Sequence, residues 1–230
     1  MNLNNSKSIE QLITLTTPND IKNAGFKLDE NYMIALTPDN AAKALEYIKR
    51  NKRYEVYYNE LDKKLRDYSR EELKNILWCV ARSNSTRSSN ENISVITDWI
   101  FENLTQFLKK LEEGDTTLVD ELTTINGLSR KEKSLSSKIC AYLCVLEFKQ
   151  SKFAVNDTVV RRILPYYFKY YGISAENKAL EKYSYSKIMA LIDKMAEKLP
   201  EKMKYSEIDQ IIWYCYKDDA VRSQIAIALA

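Results

Sequence analysis

The chain has 230 residues, of which 45% are hydrophobic and 29% charged, with a formal net charge of +3. It contains no histidine, which excludes histidine acid–base catalysis, Ser-His and Cys-His nucleophile pairs and histidine-ligated metal sites. The length suits one large domain or two tightly packed lobes. Only four glycines and four prolines occur, and this composition predicts an all-α protein.

Helix-start and helix-stop signals predict a series of helices joined by short polar turns. Pro38 follows Thr37 at the start of the first helix, Ser69 and Glu72 form a capping box, and Gly114 suits a helix C-terminus. The predicted helices are 40–50, 73–81, 90–113, 118–124, one from Ser136 or Ser137, one from Asn156 or Asp157 to before Gly172, 185–198 and 206–217. The predicted non-helical segments are 51–58, 82–89, the tight turn 125–129 and the region of Pro200.

The four cysteines are Cys79, Cys140, Cys144 and Cys215, and they form no C-x-x-C pair. They lie in apolar helical stretches, so we expect core packing and no metal site, iron–sulfur cluster or other cofactor. Because the first eight residues are polar and no long apolar run follows, the sequence predicts no signal peptide, no membrane span and a cytoplasmic location.

Positive charge is concentrated in residues 127–169, which contain nine Lys or Arg and three acidic residues. A basic stretch in a near-neutral protein predicts a polyanionic partner. A solvated helix face is the alternative interpretation of this charge.

A lysine and an aspartate stand nineteen positions apart in this basic stretch. Lys138 opens the apolar run 137–148, and Asp157 opens the next helical run. A short turn between two helices can bring their starts together, so we expect the amine and the carboxylate to face one pocket. A neutral lysine amine can attack a sugar carbon to form a Schiff base, and a carboxylate stabilises positive charge that develops on the sugar. The alternatives are a solvated first-turn lysine and a simple helix N-cap.

Two short motifs accompany this pair. Residues 88–97 read Ser-Ser-Asn-Glu-Asn-Ile-Ser-Val-Ile-Thr, and residues 156–161 read Asn-Asp-Thr-Val-Val-Arg. With the spacing of Lys138 and Asp157, they make the chain resemble the helix-hairpin-helix DNA glycosylases, most closely the 8-oxoguanine DNA glycosylase branch and a divergent bacterial group with this fold. The likeness covers 88–104, 123–165 and 205–216.

The resemblance implies a helical glycosylase-like domain over residues 1–230, with an active-site cleft between two lobes if the domain is bilobed. Lys138 would be the nucleophile and Asp157 its catalytic partner. Asn90 would fill the gap that the flipped nucleotide leaves. The family's arginine that reads the orphaned cytosine is replaced by Val95, so a cytosine preference does not follow. Arg82 or Arg87 could substitute for it; a polar loop capping a helix is the alternative for this motif.

The substrate pocket implied by the resemblance differs from that of the family. An aromatic residue on the helix near 208–214 would stack on the extruded base; Trp213 is the first candidate and Tyr214 the second. A buried core tryptophan is the alternative. Tyr142 replaces the family's cysteine that faces the base, so a standard 8-oxoguanine pocket is not expected.

The hairpin also departs from the family pattern. The family reads Leu-Pro-Gly-Val-Gly almost directly before its lysine, whereas the turn containing Gly127 and Ser129 lies several residues earlier here. Hairpin amides at a helix N-terminus bind a backbone phosphate, so Gly127 and Ser129 are candidate DNA contacts. Lys131 follows the turn at a family-like distance and competes with Lys138 as the nucleophile.

We therefore predict a DNA glycosylase, with or without lyase activity, that acts as a monomer on double-stranded DNA containing a modified base. The base would be 8-oxoguanine-like or another modified base, in DNA repair or antiviral defence. The candidates for phosphate contact are Arg130, Lys131, Lys133, Arg161 and Arg162. The alternative is a non-catalytic helical DNA-binding or scaffold protein that retains the fold.

Overall fold

The computed structural model describes residues 25–30, 33–50, 63–83, 87–174 and 180–216. Within these ranges the chain forms nine α-helices, one 3₁₀ helix and an isolated antiparallel bridge between Leu28 and Ile34. The predicted all-α class is confirmed for this part of the chain. The helices are α1 Pro38–Arg50, the 3₁₀ helix Leu65–Asp67, α2 Arg70–Ser83, α3 Asn90–Glu102, α4 Leu104–Glu113, α5 Thr117–Thr123, α6 Lys133–Phe148, α7 Thr158–Tyr170, α8 Tyr185–Ala196 and α9 Tyr205–Tyr216.

The chain divides into two compact units. Unit 1 comprises Met1–Ile48, Val159–Ala179 and Leu191–Ala230, and unit 2 comprises Lys49–Thr158 and Leu180–Ala190. Both Lys138 and Asp157 therefore belong to unit 2.

Helix α6 is the central element of unit 2 and packs against α2, α4 and α5. Its apolar residues are not confined to one face, and ten of its residues are buried. A helix without a clear polar face is typical of an element surrounded by others rather than one lying on a surface. This position explains how a lysine on α6 comes to lie inside the unit.

The core of unit 1 contains a polar triangle. The Tyr216 hydroxyl accepts a hydrogen bond from the Ile34 backbone N–H at 2.9 Å, and the Tyr167 hydroxyl donates to the Ile34 carbonyl at 2.6 Å. The two tyrosine rings meet edge to face, with centroids 6.4 Å apart. Burial raises the pKa of both phenols. These bonds fix the 28–34 bridge segment onto α7 and α9.

Several predicted helix boundaries are confirmed because their capping residues form the expected contacts. The Glu72 carboxylate accepts from the Ser69 backbone N–H at 2.7 Å, as the capping box requires. The Lys63 ammonium and the Ser69 donors lower the pKa of Glu72 to about 2. Gly114 adopts the left-handed conformation, with φ of 77°, after α4, and Gly172 has a φ of 64° after α7.

The predicted helix 90–113 is wrong in one respect, because the chain breaks at Asn103 into α3 and α4. The Asn103 side-chain amide donates to the Trp99 carbonyl at 2.8 Å, and its backbone N–H donates to the same oxygen. Asparagine competes in this way with regular helical hydrogen bonding. The local pattern of apolar residues continues across the break and therefore did not reveal it.

The predicted start of the next helix at Ser136 or Ser137 is also wrong, since α6 begins at Lys133. The Glu132 carbonyl accepts the first helical bond, from the Ser136 N–H at 2.8 Å. Both serines are buried within the first turns rather than placed at the helix end. The two short helices near the end of the chain, α8 and α9, have the predicted positions to within one turn.

The remaining predictions concern loops, cysteines and membrane spans. The predicted segment 51–58 lies outside the described residues. Cys140, Cys144 and Cys215 are buried, as expected for core residues, whereas Cys79 is partly exposed. Among the helices that the structure describes, none combines the length and apolarity that crossing a membrane requires.

Candidate active site

The centre of the candidate site is a buried ion pair in unit 2. The Lys138 Nζ lies 3.1 Å from the Asp157 Oδ2, and the two side chains are 2% and 7% exposed. Lysine and aspartate are rarely this buried unless they are paired. The two groups are therefore adjacent, and the pocket that they were predicted to share stays a prediction.

Side chains of α6 and α8 hold the segment that carries Asp157 through hydrogen bonds to its backbone. The Ser137 hydroxyl accepts from the Asn156 N–H at 2.9 Å and donates to the Ser134 carbonyl at 3.1 Å. The Tyr185 hydroxyl donates to the Ala154 carbonyl at 2.7 Å. These bonds position the last residues before α7, so that Asp157 faces the residue that follows Ser137.

Lys138 is the sixth residue of α6, not its first. Because the field of a helix N-terminus falls off within the first turn, Lys138 lies beyond the range of the helix dipole. Lys131, the competing nucleophile, precedes α6 and is exposed. Of the two lysines, only Lys138 combines burial with a carboxylate at hydrogen-bonding distance.

Sequence reasoning missed a second buried acid, Glu132. Its Oε2 accepts from the Ser88 hydroxyl at 2.8 Å. Its Oε1 accepts from the Asn92 side-chain amide at 2.7 Å and from the Arg130 Nε at 3.0 Å. The Asn92 Oδ1 in turn accepts from the backbone N–H and hydroxyl of Ser129 at 3.0 Å. Glu132 therefore ties the N-termini of α3 and α6 to the turn between α5 and α6.

Replacement of Glu132 by alanine is expected to lower the free energy of unfolding by about 2–3 kcal/mol, because the buried Ser88 and Asn92 donors lose their acceptor. Glu132→Gln retains an acceptor and should lose less. Urea denaturation of the purified variants measures both changes. Glu102→Ala, which removes an exposed acid from α3, is the control and should shift stability by less than about 0.5 kcal/mol. Equal effects at the two positions would contradict this role of Glu132.

The predicted turn at 125–129 is confirmed. The Leu128 N–H donates to the Ile125 carbonyl at 3.3 Å, and Gly127 has a φ of 97°, a conformation that favours glycine. Gly127 and Ser129 are exposed on this turn. Both remain predicted DNA contacts, although the Ser129 N–H and hydroxyl donate to the Asn92 Oδ1 in this structure.

Asn90 is exposed as the first residue of α3, one position after the Ser89 N-cap. Its Oδ1 accepts from the Arg82 Nη2 at 3.3 Å. Arg82 is one of the two residues predicted to substitute for the family arginine that Val95 replaces. Its guanidinium lies beside Asn90. Arg87 is also exposed.

The other predicted DNA contacts belong to different units. Arg130 and Lys131 are exposed in unit 2, and the Lys133 ammonium donates to the Glu181 carbonyl. In unit 1, Arg161 is partly buried, and Arg162 is exposed with its Nη2 donating to the Tyr216 carbonyl at 3.0 Å.

The predicted base-binding residues also belong to both units. Tyr142 lies one turn after Lys138 on α6 and is partly buried. Trp213 lies on α9 in unit 1 and is only 5% exposed, so this structure offers little ring surface for stacking. The side chain of Tyr214 lies outside the described residues.

A pocket of about 560 Å³ lies against α3 in unit 2. Its lining residues are Val95, Asp98, Trp99, Glu102, Glu121, Thr124, Ile125 and Asn126. Neither Lys138 nor Asp157 is among them. Asp98 is paired with Arg70, and Glu121 with Lys110. This pocket is therefore not the one that Lys138 and Asp157 were predicted to face.

Comparisons of the chain with protein-family models, curated proteins and solved structures gave no match. The chemistry of the site therefore has to be inferred from its own residues.

Proposed function

We propose that the protein is a DNA glycosylase in which Lys138 is the nucleophile and Asp157 its proton acceptor and electrostatic partner. The observation that supports this proposal is the 3.1 Å separation of the Lys138 Nζ and the Asp157 Oδ2 in a buried setting. The motifs at 88–97 and 156–161 connect this pair with nucleic-acid chemistry. The exposed cations Arg87, Arg130 and Lys131 of unit 2 suit a phosphate backbone.

Burial assists the first step, which is proton transfer within the pair. An ammonium and a carboxylate are both costly in a low-dielectric interior. Moving one proton from the Lys138 Nζ to the Asp157 carboxylate gives two neutral groups and exposes the nitrogen lone pair. The amine is then able to act as a nucleophile.

In the proposed reaction, the Lys138 nitrogen forms a bond to C1′ of the target deoxyribose as the bond between C1′ and the base breaks. The base leaves with the bonding electrons and takes up the proton that Asp157 had received from Lys138. As Asp157 gives up its proton to the departing base, the carboxylate that forms stabilises the positive charge on the sugar. Asp157 then relays one proton from the attached nitrogen to O4′ as the C1′–O4′ bond breaks, which opens the sugar ring and gives a protonated Schiff base.

The proposed substrate is a modified base in double-stranded DNA, with 8-oxoguanine as the first choice. A base within a duplex is unreachable, so the nucleotide must be extruded. Tyr142, one turn from Lys138, is the unit 2 residue that we propose to contact it. A pocket with tyrosine in this place also suits other modified bases, in repair or in defence against foreign DNA.

The experiment that tests this function combines a substrate screen with chemical trapping. Duplexes that each contain one modified base or one abasic site are incubated with the protein, and released bases are identified by mass spectrometry. Sodium borohydride in a parallel reaction reduces the Schiff base to a stable adduct, and peptide mapping identifies the modified lysine. We expect a released base and an adduct on Lys138. Base release without an adduct would indicate water as the nucleophile, and the absence of both would reject the proposal.

A second candidate function is supported by the same burial. With Lys138 only 2% exposed, a nucleoside can reach its amine only if the surrounding side chains move. A non-catalytic helical DNA-binding or scaffold protein would use the pair for packing alone. It would bind DNA in a salt-sensitive manner without releasing a base.

A further inference from the structure

The tip of the turn between α5 and α6 carries the only Asn-Gly sequence of the 230-residue chain, at Asn126 and Gly127. Both residues are exposed. A backbone nitrogen can attack the carboxamide of a preceding asparagine, and glycine at the attacking position hinders the approach least because it has no Cβ. The reaction takes place within the chain and needs only water. The turn therefore contains a pair of groups that can react with each other.

The hydrogen bonds of the turn leave both reacting groups available. The turn is closed by the Leu128 N–H, which donates to the Ile125 carbonyl at 3.3 Å. Within the part of the chain that the structure describes, the Gly127 N–H donates no hydrogen bond, and the Asn126 carboxamide forms none. Neither group has to give up a protein contact before the ring can close.

A second exposed asparagine shows why the turn matters more than exposure. Asn75 is exposed on α2 and is followed by Ile76. Inside an α-helix each backbone N–H donates to the carbonyl four positions earlier, so the Ile76 nitrogen is occupied. Isoleucine is also branched at Cβ, which hinders a close approach. Asn126 has neither restraint, so it should react much faster than Asn75.

We infer that Asn126 is a site of spontaneous modification, in which the Gly127 nitrogen closes a succinimide ring. The Gly127 N–H loses its proton to hydroxide, and the nitrogen forms a bond to the Asn126 Cγ. The bond from Cγ to the side-chain nitrogen breaks, and that nitrogen takes a proton from water and leaves as ammonia. Water then opens the ring. Cleavage at Cγ gives aspartate, and cleavage at the main-chain carbonyl carbon of Asn126 gives isoaspartate.

Either product changes more than one side chain. Both add a negative charge, and isoaspartate also lengthens the main chain by one methylene group. The turn lies close to α3, since a Cβ on Gly127 would already contact the Val95 methyl groups at 3.8 Å. Two residues later, Ser129 donates to the Asn92 Oδ1. The longer main chain of isoaspartate is therefore expected to disturb the contact between the turn and α3.

The consequence for DNA binding rests on the proposed function, because Gly127 and Ser129 are predicted phosphate contacts. A carboxylate at position 126 would carry the same sign of charge as the phosphates. Its gain should act in the same direction as the loss of one cationic phosphate contact. We expect the modified protein to bind duplex DNA about fivefold more weakly at low salt.

Incubation in heavy-oxygen water tests the modification directly. The full chain is kept for days in mildly alkaline buffer made with this water, and its peptides are then analysed by mass spectrometry. Ring opening places one heavy oxygen in each product, so modification that preceded the incubation is not counted. We expect uptake at Asn126 at least about tenfold faster than at Asn75, where the helix must first open. The rate should rise about tenfold per pH unit, because the attacking nitrogen must lose its proton.

Two variants connect the modification to DNA binding. Asn126→Gln keeps the carboxamide but requires a larger ring that closes more slowly, so it should take up no heavy oxygen at this position. Asn126→Asp carries the charge of the product from the start. Fluorescence anisotropy with a labelled duplex measures the affinity of fresh and aged samples. Aged wild type should approach the affinity of Asn126→Asp, and aged Asn126→Gln should match fresh wild type. Thermal melts establish that each sample is folded.

The outcomes separate this inference from the proposed function. Equal uptake at Asn126 and Asn75 would overturn the modification site. Uptake at Asn126 with an unchanged affinity of the aged wild type would overturn the effect on DNA binding. If the fresh protein did not bind DNA, the proposed function would be rejected, whereas faster uptake at Asn126 would still support the modification site.

Discussion

Lys138→Gln is expected to abolish the borohydride-trapped adduct and to slow base release by about 10³-fold or more, because the amide nitrogen cannot form a Schiff base. Single-turnover kinetics with enzyme in excess over the modified duplex measure the rate. Affinity for the duplex should change little, since Lys138 is 2% exposed and contributes almost nothing to the surface charge.

The matched control is Lys131→Gln, which removes the same charge from an exposed lysine seven positions earlier. We expect this variant to keep the adduct and to bind DNA more weakly, with a smaller dependence of affinity on salt. If Lys131→Gln lost the adduct while Lys138→Gln retained it, the assignment of the nucleophile would be reversed.

The second large effect concerns stability. Asp157→Leu and Lys138→Met should each lower the free energy of unfolding by about 3–5 kcal/mol, because each removes the oppositely charged neighbour of a charge in the interior. The double variant, which has neither charge, should recover most of this loss and could exceed the wild type. Urea denaturation of the four proteins gives the coupling energy of the pair.

An exposed ion pair on α4 supplies the comparison. Lys109 and Glu113 are separated by 4.0 Å and are both well exposed. Glu113→Ala should change stability by less than about 1 kcal/mol, as is usual for surface pairs. If Asp157→Leu lowered the free energy of unfolding no more than Glu113→Ala does, the interior pair would not have the strong coupling that its burial predicts.

Comparison of the stability and rate measurements distinguishes a catalytic role of the pair from a structural role. A Lys138→Met, Asp157→Leu double variant that is as stable as the wild type but inactive would show that folding does not require the two charges. The pair would then be present for chemistry. A double variant that is less stable than either single variant would instead favour a structural role for the pair.

The sequence predicted helices best where local chemistry determines the helix ends. The capping box of Ser69 and Glu72 and the left-handed glycines Gly114 and Gly172 depend on residues a few positions apart. The break at Asn103 was missed because an apolar stripe continues on both sides of it. The start of α6 was misplaced because serine is a frequent N-cap, whereas Ser136 and Ser137 are buried here.

The site was predictable only in part, and for a related reason. Lys138 and Asp157 are joined by one short connection between helices, so their proximity could be inferred from spacing. The bonds of Glu132 to Ser88 and Asn92 span forty residues or more along the chain and left no local pattern. The burial of asparagine at position 92, in a segment that looks like a polar helix start, depends on this distant acid.

The buried pair and the Glu132 hydrogen bonds all lie within residues 88–157, one uninterrupted stretch of unit 2. This stretch can therefore be inherited as a single block while the sequence of unit 1 changes or is replaced. Distant relatives are therefore expected to share this block even where unit 1 differs. Compensating substitutions among them should pair position 132 with positions 88 and 92, and position 138 with position 157.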